Sequence, residues 1–99
     1  MSVVYTQLSK NSFNQIVTLD SQDWENNTIT VDLPGMTSDA VVIVGAATLD
    51  SDQNTRANIQ RYLDANILAI SQDTNTLTFS KLASYTPDED IFAEVVFWR

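Results

Sequence analysis

Apolar and polar residues alternate with period two along much of this chain, and that alternation predicts strands. Residues 13–19 place Phe13, Gln15, Val17 and Leu19 on one face. Residues 28–33 alternate most clearly, with Ile29, Val31 and Leu33 opposite Thr28, Thr30 and Asp32. Residues 40–46 are apolar on both faces, which predicts a central strand covered on both sides. Residues 67–71 and 76–81 read as a hairpin across Asp73-Thr74-Asn75, with Leu77 and Phe79 sharing a face. Residues 91–98 close the chain as an apolar strand. Ile91, Ala93, Val95 and Phe97 face one way; Phe92, Glu94, Val96 and Trp98 face the other.

Between the third and fourth of these segments the period changes. Ile59, Tyr62, Leu63 and Ile67 fall at helical spacing and predict one short amphipathic helix, with Arg56 and Arg61 beside or beyond the stripe. Asp52 is expected to cap its start, and Asn66 to take the left-handed conformation that ends it. Asp20-Ser21-Gln22-Asp23 and Pro87-Asp88-Glu89-Asp90 read as polar turns, and Pro34-Gly35 suits the central pair of a type II turn. Gly45 suggests a bulge or a close backbone approach. These elements predict an all-β fold, an antiparallel β-sandwich or barrel of six to seven short strands with one inserted helix. The alternative is an α+β sheet with one covering helix. Residues 1–14 are expected to form an N-terminal arm and residues 15–99 a single β-rich domain.

Composition narrows the chemistry. The 99 residues suit one domain. Hydrophobic residues make up 43% and charged residues 18%, below the roughly 25% charged content of ordinary domains. The polar surface is therefore mostly Ser, Thr, Asn and Gln. Five basic residues against thirteen acidic ones give a net charge of −8, which argues against binding nucleic-acid phosphate. A decoy that mimics nucleic acid would need acidic residues along one face, whereas these are scattered. There is no Cys and no His. Disulfides are therefore impossible, and the usual zinc, haem, iron–sulfur and His- or Cys-based catalytic sites lose their side chains. The longest apolar run, residues 40–47, falls far short of the ~20 residues that span a bilayer. Residues 1–7 lack the pattern of a signal peptide, and Ser2 excludes the usual myristoylation signal.

The remaining candidates for chemistry have simpler structural readings. Asp50-Ser51-Asp52-Gln53-Asn54 opens like a calcium loop, but Thr55 and Arg61 replace the glycine and glutamate that complete one. Helix capping accounts for the same residues. Asp88-Glu89-Asp90 reads as a solvated turn instead of an acid–base pair, and no S-x-x-K spacing brings Lys10 or Lys81 to a serine. Asn26-Asn27-Thr28 matches the glycosylation triplet, with nothing to indicate a secretory route. No enzyme activity, cofactor or metal is expected. Trp24 is expected in the core. Tyr5, Trp24, Tyr62, Tyr85 and Trp98 are the aromatics available to a sugar platform, with Tyr85 and Trp98 its candidate ligand contacts. Val3, Val4, Tyr5, Leu8 and Trp98 are candidate assembly residues, because an apolar arm can add a strand to a neighbour's sheet.

The succession of short motifs resembles a known module. Trp24-Glu25-Asn26-Asn27-Thr28-Ile29-Thr30-Val31 is followed by Gly35-Met36-Thr37-Ser38-Asp39, then Val41-Val42-Ile43-Val44. Later come Thr76-Leu77-Thr78-Phe79 and Pro87-Asp88-Glu89-Asp90-Ile91. Over residues 15–98 this is similar to a small β-rich module near the ends of phage tail, baseplate and fibre proteins. The resemblance implies a virion structural protein made in a bacterial cytoplasm: a head or tail fibre, baseplate part or capsid decoration. It implies other virion proteins as partners, homo-oligomers with trimers favoured, and host-surface glycan binding as the alternative role. That module usually ends a longer protein. Here it is expected to stand with only a short arm, which favours decoration or fibre attachment over receptor binding.

Overall fold

The computed structural model describes residues 12–98. Val3, Val4, Tyr5 and Leu8 of the expected arm lie outside the described residues. Six strands and one helix follow in chain order: β1 (Ser12–Leu19), β2 (Thr28–Asp32), β3 (Val41–Ala46), α1 (Asp52–Asp64), β4 (Leu68–Asp73), β5 (Thr76–Ser80) and β6 (Ile91–Trp98). β1 begins at Ser12. The strands form two three-stranded antiparallel sheets, ordered β1-β6-β3 and β2-β5-β4. The fold is thus β-rich with one helix. No barrel closes among the described residues, since each sheet keeps two edges.

One core joins the two sheets. Ile91, Ala93, Val95 and Phe97 on β6 are buried together with Val17 and Leu19 on β1. Ile29 on β2 and Leu77 and Phe79 on β5 meet them from the other sheet. The predicted alternation of β6 is the observed one, with every second residue from Ile91 buried. Each such large apolar side chain contributes about 1.5–3 kcal/mol on burial. Phe13 stacks on Phe97, its register partner, with ring centroids 5.2 Å apart. Trp24 packs against this core, as expected, with Lys81 Nζ 5.9 Å from its ring centroid.

The turns follow from residues that tolerate positive φ. Gly35 has φ 90°, and the Met36 N–H donates to the Leu33 carbonyl, as the type II turn at Pro34-Gly35 requires. Asn26 and Asn27 both have positive φ between the mutually bonded Glu25 and Thr28, the pattern of a type I′ hairpin turn. Asn75 supplies positive φ in the β4–β5 hairpin, and its Oδ1 accepts from the Gly35 N–H.

Two expectations about β3 are corrected. Among the described residues it is an edge strand and β6 is the central one, because β6 pairs with both β1 and β3. Gly45 sits in unbroken register with Glu94 and has nothing within 4 Å of an added Cβ, so it marks neither a bulge nor a close approach. The one register shift falls in β4, between Ala69 and Ser71.

The helix is also anchored differently from its apolar stripe. Ser51 caps it, its Oγ accepting from the Asn54 N–H, and Asp52 is the first helical residue. Asn66 has φ 51° and ends it as expected. Leu63 is 65% exposed and Ile59 39% exposed, whereas Asn58 and Ala65 are fully buried. The Asn58 amide explains the difference. Its Nδ2 donates to the carbonyls of Ala47 and Phe92, and its Oδ1 accepts from the Phe92 N–H. Asn58 therefore carries the β3–β6 ladder across to the helix, and a polar residue holds α1 in place.

Candidate functional site

The outer faces of the two sheets differ in chemistry. On the β2-β5-β4 sheet, Thr28, Thr30, Asp32, Thr76 and Thr78 alternate with the buried residues of β2 and β5. The Thr30 and Thr78 hydroxyls bond to each other at 2.8 Å. Such a face is well solvated. On the β1-β6-β3 sheet, register places Ser12, Trp98 and Val41 in one row, and Asn14, Val96 and Ile43 in the next. The β1 half is mixed: Asn14 donates to Glu94 across it, and Ile16, the register partner of Glu94, is 49% exposed. The β3 half is apolar: Val41 is 63% exposed and Ile43 57% exposed, beside the half-buried Val96 and Trp98.

Trp98 adds a polar demand to this apolar corner. Its indole Nε1 is buried and has no acceptor among the described residues; the same holds for Trp24, which is partly buried against the core. A buried donor without an acceptor costs about 1–3 kcal/mol. Sequence reasoning missed Val41, Ile43 and Val96 as members of this surface. A run of apolar residues carries the same pattern in a central strand as in an edge strand that awaits a partner.

A second concavity lies at the opposite end of β6. It encloses about 740 Å³ between the start of α1 and the β5–β6 loop, with Phe92, Ala57 and Leu49 on its walls. Asp50, Asp88, Glu89 and Asp90 ring it, and Arg61 pairs with Glu89. Asp50, Glu89 and Asp90 are engaged in local structure. Asp90 Oδ1 accepts from the Ser21 N–H, and Asp50 Oδ1 accepts from Asn54 Nδ2. The D-x-D-x-N run thus builds the start of the helix. Among the described residues no group of three or more acidic side chains is arranged to hold a metal ion.

Tyr85 and Trp98, the two candidate ligand contacts, are not brought together. Trp98 ends β6, whereas Tyr85 lies in the loop before it, where its phenol is pushed up from the usual value by burial and by Asp88 and Asp64. Its backbone carbonyl accepts from Lys81 Nζ, and its ring packs against the core. Asn26 of the glycosylation triplet stands at an exposed hairpin tip. No helix among the described residues is long and apolar enough to cross a membrane. No protein-family model, curated protein or solved structure matches this chain, so its fold and surfaces carry the functional reading.

Proposed function

We propose that this protein is a bacteriophage virion structural component that acts by protein–protein assembly. On this reading it is a small β-sandwich module of a head or tail fibre, a baseplate or a capsid decoration. It works as a homo-oligomer, with a trimer favoured, and contacts other virion proteins. The role is structural and not enzymatic, and the place of action is the virion.

The observation that carries the reading is the uncovered corner of the β1-β6-β3 sheet. Val41 and Ile43 stand exposed beside Val96 and a Trp98 indole that lacks an acceptor among the described residues. Contiguous exposed apolar surface marks a contact site. The resemblance over residues 15–98 supplies the virion context. The alternative, host-glycan binding, draws less support, because Tyr85 and Trp98 lie at opposite ends of β6 and form no shared platform.

The test is co-purification of the chain with phage capsid and tail proteins expressed from the genes that neighbour its own. Stable capture by one of them supports the reading. Neighbouring genes unrelated to virion assembly, with no capture, would remove it.

A further inference from the structure

We propose that residues 3–8 of a second copy of this chain add as a strand to the free edge of β3, filling the groove between β3 and β4. This rests on the assembly reading above and names the contact through which copies join.

The slot is visible in the backbone. The Ala47 N–H donates to the Phe92 carbonyl, so Ala47 turns its backbone groups toward β6. Antiparallel pairing alternates, and Val42, Val44 and Ala46 therefore turn theirs to the open edge. No strand among the described residues pairs with that edge. Beside it, a groove of about 270 Å³ opens between the two sheets, lined by Val42, Val44, Ala69, Ile70 and Leu77 and by the uncharged polar Ser71 and Gln72. A strand added here would meet uncharged surface on both of its faces, apolar at Val42, Val44 and Leu77 and polar at Ser71 and Gln72. One face would fill the groove, and the other would cover Val41 and Ile43.

The edge also lacks the usual protections against pairing. Natural edges are blunted by charge, proline or bulges. β4 carries a bulge and ends in Asp73, and β2 ends in Asp32. β3 reads Val-Val-Ile-Val-Gly-Ala, with no charge, no proline and no break in register.

The occupant fits by composition. Val3-Val4-Tyr5-Thr6-Gln7-Leu8 is uncharged and rich in β-branched and aromatic residues. In an extended strand Val3 and Tyr5 share one face and Val4 and Leu8 the other, so each face carries apolar side chains to a slot that is free of charge on both sides. Both surfaces are free of charge, so the contact brings together none of the acidic groups that give each copy its net charge of −8. Chain length assigns the strand to a second copy. A position beyond β3 lies three strand spacings from β1, roughly 14 Å at ~4.8 Å each. The four steps from Leu8 to Ser12 reach at most about 14 Å fully extended. A chain pairing with its own β3 would have no slack to turn over the end of β6.

The experiment uses light scattering on the full chain, on a deletion of residues 2–8, and on full-length Ile43→Lys. The lysine places a charge at an exposed position of the edge and leaves the core untouched, and circular dichroism reports that each variant is folded. The full chain is expected to be oligomeric. The deletion and Ile43→Lys alone are each expected to lose the oligomer. Mixed, they are expected to regain association, because one keeps the edge and the other keeps the strand. A synthetic peptide of residues 2–9 is expected to bind the deletion variant and not the same variant carrying Ile43→Lys. A deletion variant that stays oligomeric overturns the strand addition while leaving assembly intact. A monomeric full chain overturns both. If the deletion variant does not fold, Ile43→Lys decides alone, and an unchanged oligomer of that variant overturns the proposal.

Discussion

Both backbone groups of Phe92 are bonded to one side chain, the amide of Asn58. Nδ2 donates to the Phe92 carbonyl at 2.9 Å, and Oδ1 accepts from its N–H at 2.8 Å. The same Nδ2 also donates to the Ala47 carbonyl, so the amide links the helix to the end of the β3–β6 ladder. Asn58→Ala leaves buried backbone groups without partners and is expected to destabilise the fold by about 3 kcal/mol, read by urea denaturation.

Asn58→Asp adds a pH signature. A carboxylate there would face two carbonyl oxygens in a buried site, which raises its folded-state pKa above the unfolded value of about 3.9. The stability that this group allows is present below that unfolded value and is lost as pH rises through the folded one. The variant is therefore expected to be more stable at pH 3.5 than at pH 7 relative to the parent chain, a trend that Asn58→Ala does not share.

The two glycines are expected to respond in opposite directions to alanine. Gly35 has φ 90°, where an L side chain is strained, and Gly35→Ala should cost about 1–2 kcal/mol. Gly45 lies in a strand with open space around an added Cβ, and Gly45→Ala should stabilise by about 0.4–1 kcal/mol through the unfolded chain. Thermal unfolding of the two variants checks both signs.

Adjacent rows of the β1-β6-β3 sheet should separate stability from assembly. Val95 is fully buried, and Val95→Asp places an unpaired charge in the core, so it is expected to abolish cooperative unfolding. Ile43 is 57% exposed, and Ile43→Lys is expected to change monomer stability by no more than ~0.5 kcal/mol. Circular dichroism melts distinguish the two outcomes.

Burial of Tyr62 pushes its phenol above the usual value of 10.0. The neutral form is thus favoured in the folded state. Its stabilising contribution is complete below pH 10 and is lost as pH rises through the folded value. Tyr62→Phe should flatten the alkaline slope of stability, measured as urea midpoints from pH 9 to 12.

Much of this fold was legible because period-two alternation and turn chemistry leave direct marks. Ile29 and Val31, the two faces of β6, Pro34-Gly35 and Asn66 all took their predicted places. Asn58 left no such mark. An asparagine in a helix reads as a surface residue, and only the carbonyls that converge on it explain its burial. Half of the predicted stripe holds, since Tyr62 packs against the core and Ile67 is buried in it; Ile59 and Leu63 misled because Asn58, not an apolar residue at their place, makes the contact with the β3–β6 ladder. β3 read as central because apolar residues on both sides record that a strand is to be covered, not what covers it. The uncovered corner was visible in sequence only as Trp98, whose place on the outer face follows from the burial of Phe97.

The assembly claim is tested most directly by light scattering on the full chain after size-exclusion chromatography. The account predicts a homo-oligomer, a trimer in the favoured case, that falls to the monomer mass when Ile43 becomes Lys. A full chain that runs as a monomer of 11.0 kDa, unchanged by that substitution, would contradict it.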